Sequence, residues 1–374
     1  MKILSVVGAR PQLVKAAMMA QALRHQSAVQ HKLVHTGQHY DQNMSGLFFE
    51  ELGIPSPDFN LAIGSGSHGM QTGRMLEAVE RILIDERPDW VVVYGDTNST
   101  LAGALASSKL LIRTAHIEAG LRSFNMRMPE EINRILTDHV STLLFAPTDN
   151  AARQLRREGI DEERIQVVGD LMYDAALHYA ELAASRSRIL QSLGVTSGGY
   201  ALATLHRAEN TNSDGRRLAT ILRALSEFSR EMPVVLPLHP RTRSAVHLTG
   251  SAHLLDHICV IEPVGYLDML TLEKNARLVA TDSGGVQKEA FFYNVPCVTL
   301  RDETEWVELL EAGWNRLAPP HDVHTVLSAM QAALHQAPPP FANPYGDGQS
   351  TQKVIARLQA ANHEDTLRLP VFSA

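Results

Sequence analysis

The sequence predicts an α/β protein built from two doubly wound domains that face a central cleft. Three observations carry this reading. Short apolar, β-branched runs alternate with longer stretches of helical periodicity, the pattern of parallel sheets with helices on both faces. The same rhythm occurs twice, in different residues, with a break between. The chain of 374 residues is also longer than one hydrophobic core usually serves.

In the first half, strands are expected at residues 2–7, 32–35, 90–94, 114–118, 143–146 and 166–168, with helices at 11–25, 70–86 and 100–111 between them. Residues 174–192 read as one helix. The polar Thr196-Ser197-Gly198-Gly199 follows it and opens the second set of strands, at 200–205, 233–238, 258–261, 278–280 and 297–300. The domain boundary is therefore expected within residues 170–199, with one domain over 1–172 and the second over 173–350. A Pro-rich loop, Pro338-Pro339-Pro340, leads toward Ser350, which is expected to cap a last helix over 351–361.

Composition is that of an ordinary globular protein, 44% hydrophobic and 20% charged. A net charge of −7 with no Lys/Arg block argues against a nucleic-acid partner. The two cysteines, Cys259 and Cys297, lie in apolar runs, form no metal pattern and read as small core residues in a reducing compartment. A strand-like run begins at once and no apolar stretch is long enough for a bilayer, so a cytoplasmic protein is expected.

Chemistry gathers at strand ends. Gly8-Ala9-Arg10-Pro11 joins the first strand to the first helix, where the helix start favours an anion that Arg10 and Lys15 could help hold; the alternative is a plain turn with surface cations. Asp96, in Gly95-Asp96-Thr97-Asn98-Ser99, stands where a buried strand gives way to a loop, and capping of the next helix suits Asn98 or Ser99 better. His116-Ile117-Glu118-Ala119-Gly120-Leu121-Arg122 and Pro129-Glu130-Glu131-Ile132-Asn133-Arg134 place Glu118 at a strand end and Glu131 at a helix start, where it could equally satisfy free N–H groups.

In the second half His206, beside Arg207 and Glu209, closes a strand, and His239-Pro240-Arg241 closes another, either as site residues or as satisfied loop residues. Thr281-Asp282-Ser283-Gly284-Gly285 runs from strand into helix and is the strongest phosphate signal, with Glu289 within reach of two ribose hydroxyls. Gly64-Ser65-Gly66-Ser67-His68-Gly69 fits a dinucleotide pattern but lies outside the first strand–helix turn and follows a poor strand, so no NAD is expected there.

Taken in order, Gly-Ala-Arg-Pro, Thr36-Gly37-Gln38-His39, Gly-Asp-Thr-Asn-Ser, His-Ile-Glu-Ala-Gly-Leu-Arg, Pro-Glu-Glu-Ile-Asn-Arg, Asp-Ser-Gly-Gly-Val-Gln-Lys-Glu and Arg301-Asp302-Glu303-Thr304-Glu305 resemble the non-hydrolysing UDP-N-acetylglucosamine 2-epimerase family over nearly the whole chain. The resemblance implies two Rossmann-like domains in the glycosyltransferase-B architecture, with the helix at 351–374 returning to the first domain. It implies a UDP-sugar substrate, no cofactor and no metal, a homodimer, and service to polysaccharide precursors. It also implies roles: Asp96, Glu118, Glu131 and His206 as the catalytic set, and Arg10 and Lys15 as substrate and diphosphate contacts. Ser283, Gly284 and Gly285 would cradle phosphate, Glu289 would hold ribose, Tyr266 would lie beside uracil, and Arg301 and Glu305 would face the sugar. Some bacterial members bind a second substrate molecule as activator near Gln38 and His39.

Trp306-Val307-Glu308, Ala208 and the segment from Ser123 to Met128 resemble a sister group that epimerises UDP-2,3-diacetamido-2,3-dideoxy-glucuronate. The expected chemistry is loss of UDP from C1, proton removal from C2 to give a glycal, and re-addition with inversion, which needs an anion hole and acid/base groups. Crowded carboxylates are expected to raise one another's pKa and suit one of them to acid work. A UDP-sugar glycosyltransferase of the same fold and a non-catalytic nucleotide-sugar sensor are the rival readings.

Overall fold

The computed structural model describes residues 1–24, 26–38, 51–211, 215–335, 340 and 342–362. The chain divides into two compact units, Met1–Leu177 with Asn343–Ala374, and His178–Ala342. The first unit holds a seven-stranded sheet in the order β3-β2-β1-β4-β5-β6-β7, and the second a six-stranded sheet in the order β10-β9-β8-β11-β12-β13.

In the first unit the strands are β1 (Lys2–Val7), β2 (Gln30–His35), β3 (Phe59–Asn60), β4 (Trp90–Tyr94), β5 (Arg113–Ile117), β6 (Leu143–Ala146) and β7 (Ile165–Val167). Every recorded pairing is parallel, and β1 lies between β2 and β4. The strand order therefore reverses between β1 and β4, and the carboxyl ends of these two strands flank the crevice expected at such a switch point. All five residues of β4 are buried, as a strand covered on both faces requires.

The second unit repeats the plan with β8 (Ala201–Thr204), β9 (Val234–Pro237), β10 (Cys259–Ile261), β11 (Leu278–Thr281), β12 (Cys297–Thr299) and β13 (Asn315–Leu317). Its switch point lies between β8 and β11, which pair in parallel. Alternate residues supply two cores. Ala201, Ala203, Val234, Leu236, Leu278 and Ala280 pack with helices Arg216–Phe228 and Val323–His335. Leu202, Val235, Val279 and Cys297 pack with residues of helices Tyr266–Asn275 and Gly284–Phe292 on the other face.

Several expectations are corrected. Residues 174–192 are not one helix: Leu171–Arg186 ends and Ile189–Leu193 follows. Between them Ser187 Oγ donates to Asp268 Oδ1 at 2.6 Å and accepts the Ile189 N–H at 3.3 Å, which restarts the chain in a new direction. Cys259 is exposed rather than core, because β10 is an edge strand paired only with β9; Cys297 is buried. Strands β3 and β13, two and three residues long, are edge additions with too little apolar pattern to read from sequence.

Ser350 does not cap the last helix, Ser350–Asn362. The Asp174 carboxylate does, accepting Ser350 N at 3.1 Å, Thr351 N at 2.7 Å and Thr351 Oγ1 at 2.7 Å. Among the described residues no helix is long and apolar enough to cross a membrane.

Candidate active site

The turn after β1 is held from across the switch point. Gln12 is buried; its Oε1 accepts Gly8 N at 2.8 Å and Ala9 N at 3.0 Å, and its Nε2 donates to the Tyr94 carbonyl at 2.7 Å. Gly8 has no room for a side chain, since a Cβ there would collide with Ser99 Oγ and Thr36 Oγ1. Arg10 opens helix Arg10–Leu23; its side chain lies outside the described residues, as does His39. Gln38 Oε1 accepts from Ser99 N at 2.9 Å and Ser99 Oγ at 2.7 Å, so it fastens the next helix start. That helix, Asn98–Lys109, is capped by Thr97, not by Asn98 or Ser99.

Asp96 and Glu118 follow β4 and β5, and each meets its own cation. Asp96, with 32% of its side chain exposed, lies 2.8 Å from Arg134 Nη2. Glu118 pairs with Lys15, and both side chains are nearly buried. Lys15, expected at a diphosphate, thus has its ammonium on a carboxylate of its own unit. Glu118 lies one residue past the end of β5 with φ +73°, a left-handed conformation costly for a residue with a Cβ.

Glu131 is 1% exposed and accepts Ser123 N at 2.9 Å, Ser123 Oγ at 3.0 Å and Phe124 N at 2.9 Å, with Arg134 Nε 3.5 Å away. Its carboxylate organises the Ser123–Phe124 turn. Arg134 thus lies between Asp96 and Glu131, while Lys15 serves Glu118.

In the second unit Asp282, wholly buried after β11, accepts the His206 and Arg207 N–H groups at 3.1 and 3.0 Å and Asn210 Nδ2 at 3.1 Å, and lies 3.2 Å from His206 Nδ1. Burial would raise its carboxyl, but the hydrogen bonds from His206, Asn210 and Arg207 hold it below the ordinary carboxylate range. The His206 ring is thereby steered by Nδ1 while 42% of its side chain remains exposed. His239 is the N-cap of helix Pro240–Leu248, its Nδ1 accepting Arg241 N at 3.2 Å, and its ring lies 5.9 Å from that of His206.

Helix Gly284–Phe292 begins directly after Ser283, so its first-turn N–H groups have no acceptor within the helix. A Cβ on Gly284 would sit 2.6 Å from Glu305 Oε1, whereas one on Gly285 would meet nothing nearer than Glu289 Oε2 at 3.9 Å. Glu289 thus leans back over the open start of its own helix. Burial and Glu289 both push the Tyr266 hydroxyl well up from its ordinary value.

Arg301 is fully buried; its Nη1 donates to Glu305 Oε2 at 2.9 Å, while Nε and Nη2 meet no acceptor among the described residues. Trp306 Nε1 donates to the Gly284 carbonyl at 2.9 Å, and Lys288 Nζ lies 4.0 Å from the centroid of a Trp306 ring.

Four residues of this geometry had no assigned role in the sequence. Gln12 occupies the third helical position, where a Gln or Glu reaches back to the helix start, a readable signal. Arg134 lies three residues after Glu131, a helical pair spacing. Asp282 directly precedes Ser-Gly-Gly. Glu273, fully buried in helix Tyr266–Asn275 with neither carboxyl oxygen hydrogen-bonded among the described residues, gave no signal.

Two parallel α/β sheets with charged side chains at the carboxyl ends of their switch-point strands define a class of nucleotide-binding enzymes. The model of the UDP-N-acetylglucosamine 2-epimerase family matches residues 21–359. The chain is 52% identical to the UDP-2,3-diacetamido-2,3-dideoxy-D-glucuronate 2-epimerase of Pseudomonas aeruginosa, over 96% of this chain and 99% of that one. It is 45% identical to the UDP-N-acetylglucosamine 2-epimerase of Methanocaldococcus jannaschii, over 96% and 99%. A crystal structure of the M. jannaschii UDP-GlcNAc 2-epimerase in complex with UDP-GlcNAc and UDP superposes with a TM-score of 0.90 at 44% identity, over 96% of this chain and 100% of that one. The chain belongs to the UDP-N-acetylglucosamine 2-epimerase family and is an isomerase.

Proposed function

We propose that this protein inverts C2 of a UDP-linked 2-acetamido sugar, and that the sugar is UDP-2,3-diacetamido-2,3-dideoxy-glucuronate rather than plain UDP-N-acetylglucosamine. The reaction reading is carried by one observation: three acids at neighbouring chain turns of one sheet, Asp96 and Glu131 with Arg134 between them, Glu131 also accepting backbone N–H groups, and Glu118 on Lys15. The choice of sugar is favoured by the higher identity to the glucuronate epimerase, 52% against 45%, and by the sequence features shared with that group. It reverses the order that the family resemblance suggests first. Arg301, with two buried donors that meet no acceptor among the described residues, supports a substrate with added acceptors on its ring.

The chemistry runs as an elimination and its reverse. The C1–O bond breaks with its electron pair leaving on UDP, C2 loses its proton to a base, and a C1=C2 double bond forms. The glycal then takes a proton at C2 on the opposite face while a UDP oxygen re-forms the bond to C1. The start of helix Gly284–Phe292 with Ser283, Gly284 and Gly285, together with His206, stabilises the departing diphosphate. Glu289 holds the ribose and Tyr266 lies on the uracil side. Asp96, Glu118 and Glu131 stabilise positive charge at C1 and move the C2 proton.

The test is incubation with each UDP-sugar alone in D2O. Deuterium at C2 and formation of the C2 epimer are expected with both, with kcat/KM higher on the diacetamido glucuronate. Asp96→Asn should slow the exchange by about 100-fold or more while leaving UDP binding unchanged. Binding of both sugars without exchange would make the protein a sensor; faster turnover of UDP-N-acetylglucosamine would reverse the substrate choice.

A further inference from the structure

Below the strand ends that carry Asp96 and Glu118 lies a buried His–Asp pair with no part in the chemistry above. His116, in β5, has no exposed surface. Its Nδ1 lies 2.7 Å from Asp138 Oδ1, and its Nε2 lies 2.7 Å from the Gly95 carbonyl oxygen. A carbonyl oxygen only accepts. Burial would raise the Asp138 carboxyl, but His116 and Arg122 hold it below the ordinary carboxylate range, so it too is an acceptor. Both ring nitrogens of His116 face acceptors.

Asp138 also accepts the Gly120 N–H at 3.1 Å and lies 2.7 Å from Arg122 Nη1. Arg122 continues to Glu158 through two hydrogen bonds of 2.7 Å, and Glu158 lies 3.3 Å from His139. Arg164 donates to the Asp138 and His139 carbonyl oxygens. These are the charged groups around the pair.

The contacts bracket Glu118. His116 stands two residues before it and Gly120 two residues after, and both are tied to Asp138. A left-handed non-glycine residue persists only where its surroundings over-determine it. The same ring, through the Gly95 carbonyl, fixes the peptide unit that leads into Asp96. We propose that the His116–Asp138 pair is a positioning device that sets the aim of Asp96 and Glu118 together, resting on the reading of these two acids as groups that handle the C2 hydrogen. Neither His116 nor Asp138 touches the substrate; they act through the backbone of the residues that do.

The test uses Asp138→Asn. The amide oxygen can still accept from His116 Nδ1, but its NH2 then faces the Gly120 N–H and Arg122 donors, so the tie from Asp138 to Gly120 is broken. The variant is expected to lose 30-fold or more in kcat and in C2 exchange, with UDP affinity within twofold of wild type.

His116→Gln is expected to show the same loss with UDP affinity kept, and decides the matter if Asp138→Asn fails to fold. Exchange within threefold of wild type in a folded variant, or a loss of UDP affinity as large as the loss in exchange, overturns the proposal. The wild-type protein run alongside separates the failures. No exchange on either sugar removes the reading of Asp96 and Glu118, whereas wild-type exchange that survives in both variants removes the His116–Asp138 device alone.

Discussion

Lys15 and Glu118 lie 103 residues apart in the chain and meet where two strands end. Asp96 and Arg134 meet in the same way. Sequence spacing shows which of these residues stand at strand ends; it does not show which cation meets which acid, because that depends on how the turns fold back. Glu273 is the opposite case. Leu272-Glu273-Lys274 reads as the solvent side of a helix, yet the packing of helix Tyr266–Asn275 buries it completely. Burial and the nearby Glu289 carboxylate push its carboxyl well above the ordinary range, so the fold favours its protonated form. The sign follows from linkage: the folded state holds this proton more tightly than the unfolded chain, so the stability it confers is complete below the ordinary value of 4.5 and is lost as pH rises toward the folded value. Glu273→Gln, which mimics the protonated acid, is expected to raise Tm at pH 8 by a few degrees, with the difference shrinking toward pH 4.5. An unchanged or lowered Tm at pH 8 in thermal melts would refute this.

Elements meet the candidate site at their ends. Strand cores are apolar and interchangeable in character, whereas the residues just past β1, β4, β5, β8 and β11 carry the polar side chains. Helix starts follow directly, and each solves its free N–H groups differently. Gln12 reaches back to the turn after β1, Thr97 caps its own helix, and His239 does so with a ring nitrogen. The last helix is fastened from another element, by Asp174. The sequence pointed to Ser350 because serine is a good local cap, and a cap 176 residues away has no local signature. Asp174→Ala removes a buried carboxylate that accepts three hydrogen bonds and leaves their donors unmet. It is expected to cost about 2–3 kcal/mol in urea unfolding. A loss below about 0.5 kcal/mol at constant m would show that the helix is held by its apolar face alone.

At the scale of the whole molecule, acid stability separates by group. His31 in β2 has Nε2 2.9 Å from Ser5 Oγ, which in turn lies 2.8 Å from the Tyr94 hydroxyl. Burial lowers its pKa from 6.5 to about 4, against a smaller opposing pull from Asp58. The folded state therefore prefers the neutral ring; the stability this confers is present above pH 6.5 and lost as pH falls through about 4. Asp138 and Asp282, held below the ordinary carboxylate range, lose their contributions only at still lower pH. Wild-type protein should thus lose roughly 2–3 kcal/mol more between pH 7 and pH 4.5 than His31→Gln does, measured by denaturant midpoints. Parallel pH curves for the two proteins would remove His31 from the account.

The sequence by itself determined the two α/β sheets, most strand positions, the strand-end location of Asp96, Glu118, His206 and Ser283, and the family, because apolar periodicity and ordered motifs are local properties of the chain. The tertiary structure decided which cation serves which acid, that Glu118 is left-handed, that Asp282 steers His206, and that His116 and Glu273 are buried. Those depend on contacts between residues far apart in sequence, and the free energy of a buried charge is fixed by what surrounds it rather than by its neighbours along the chain.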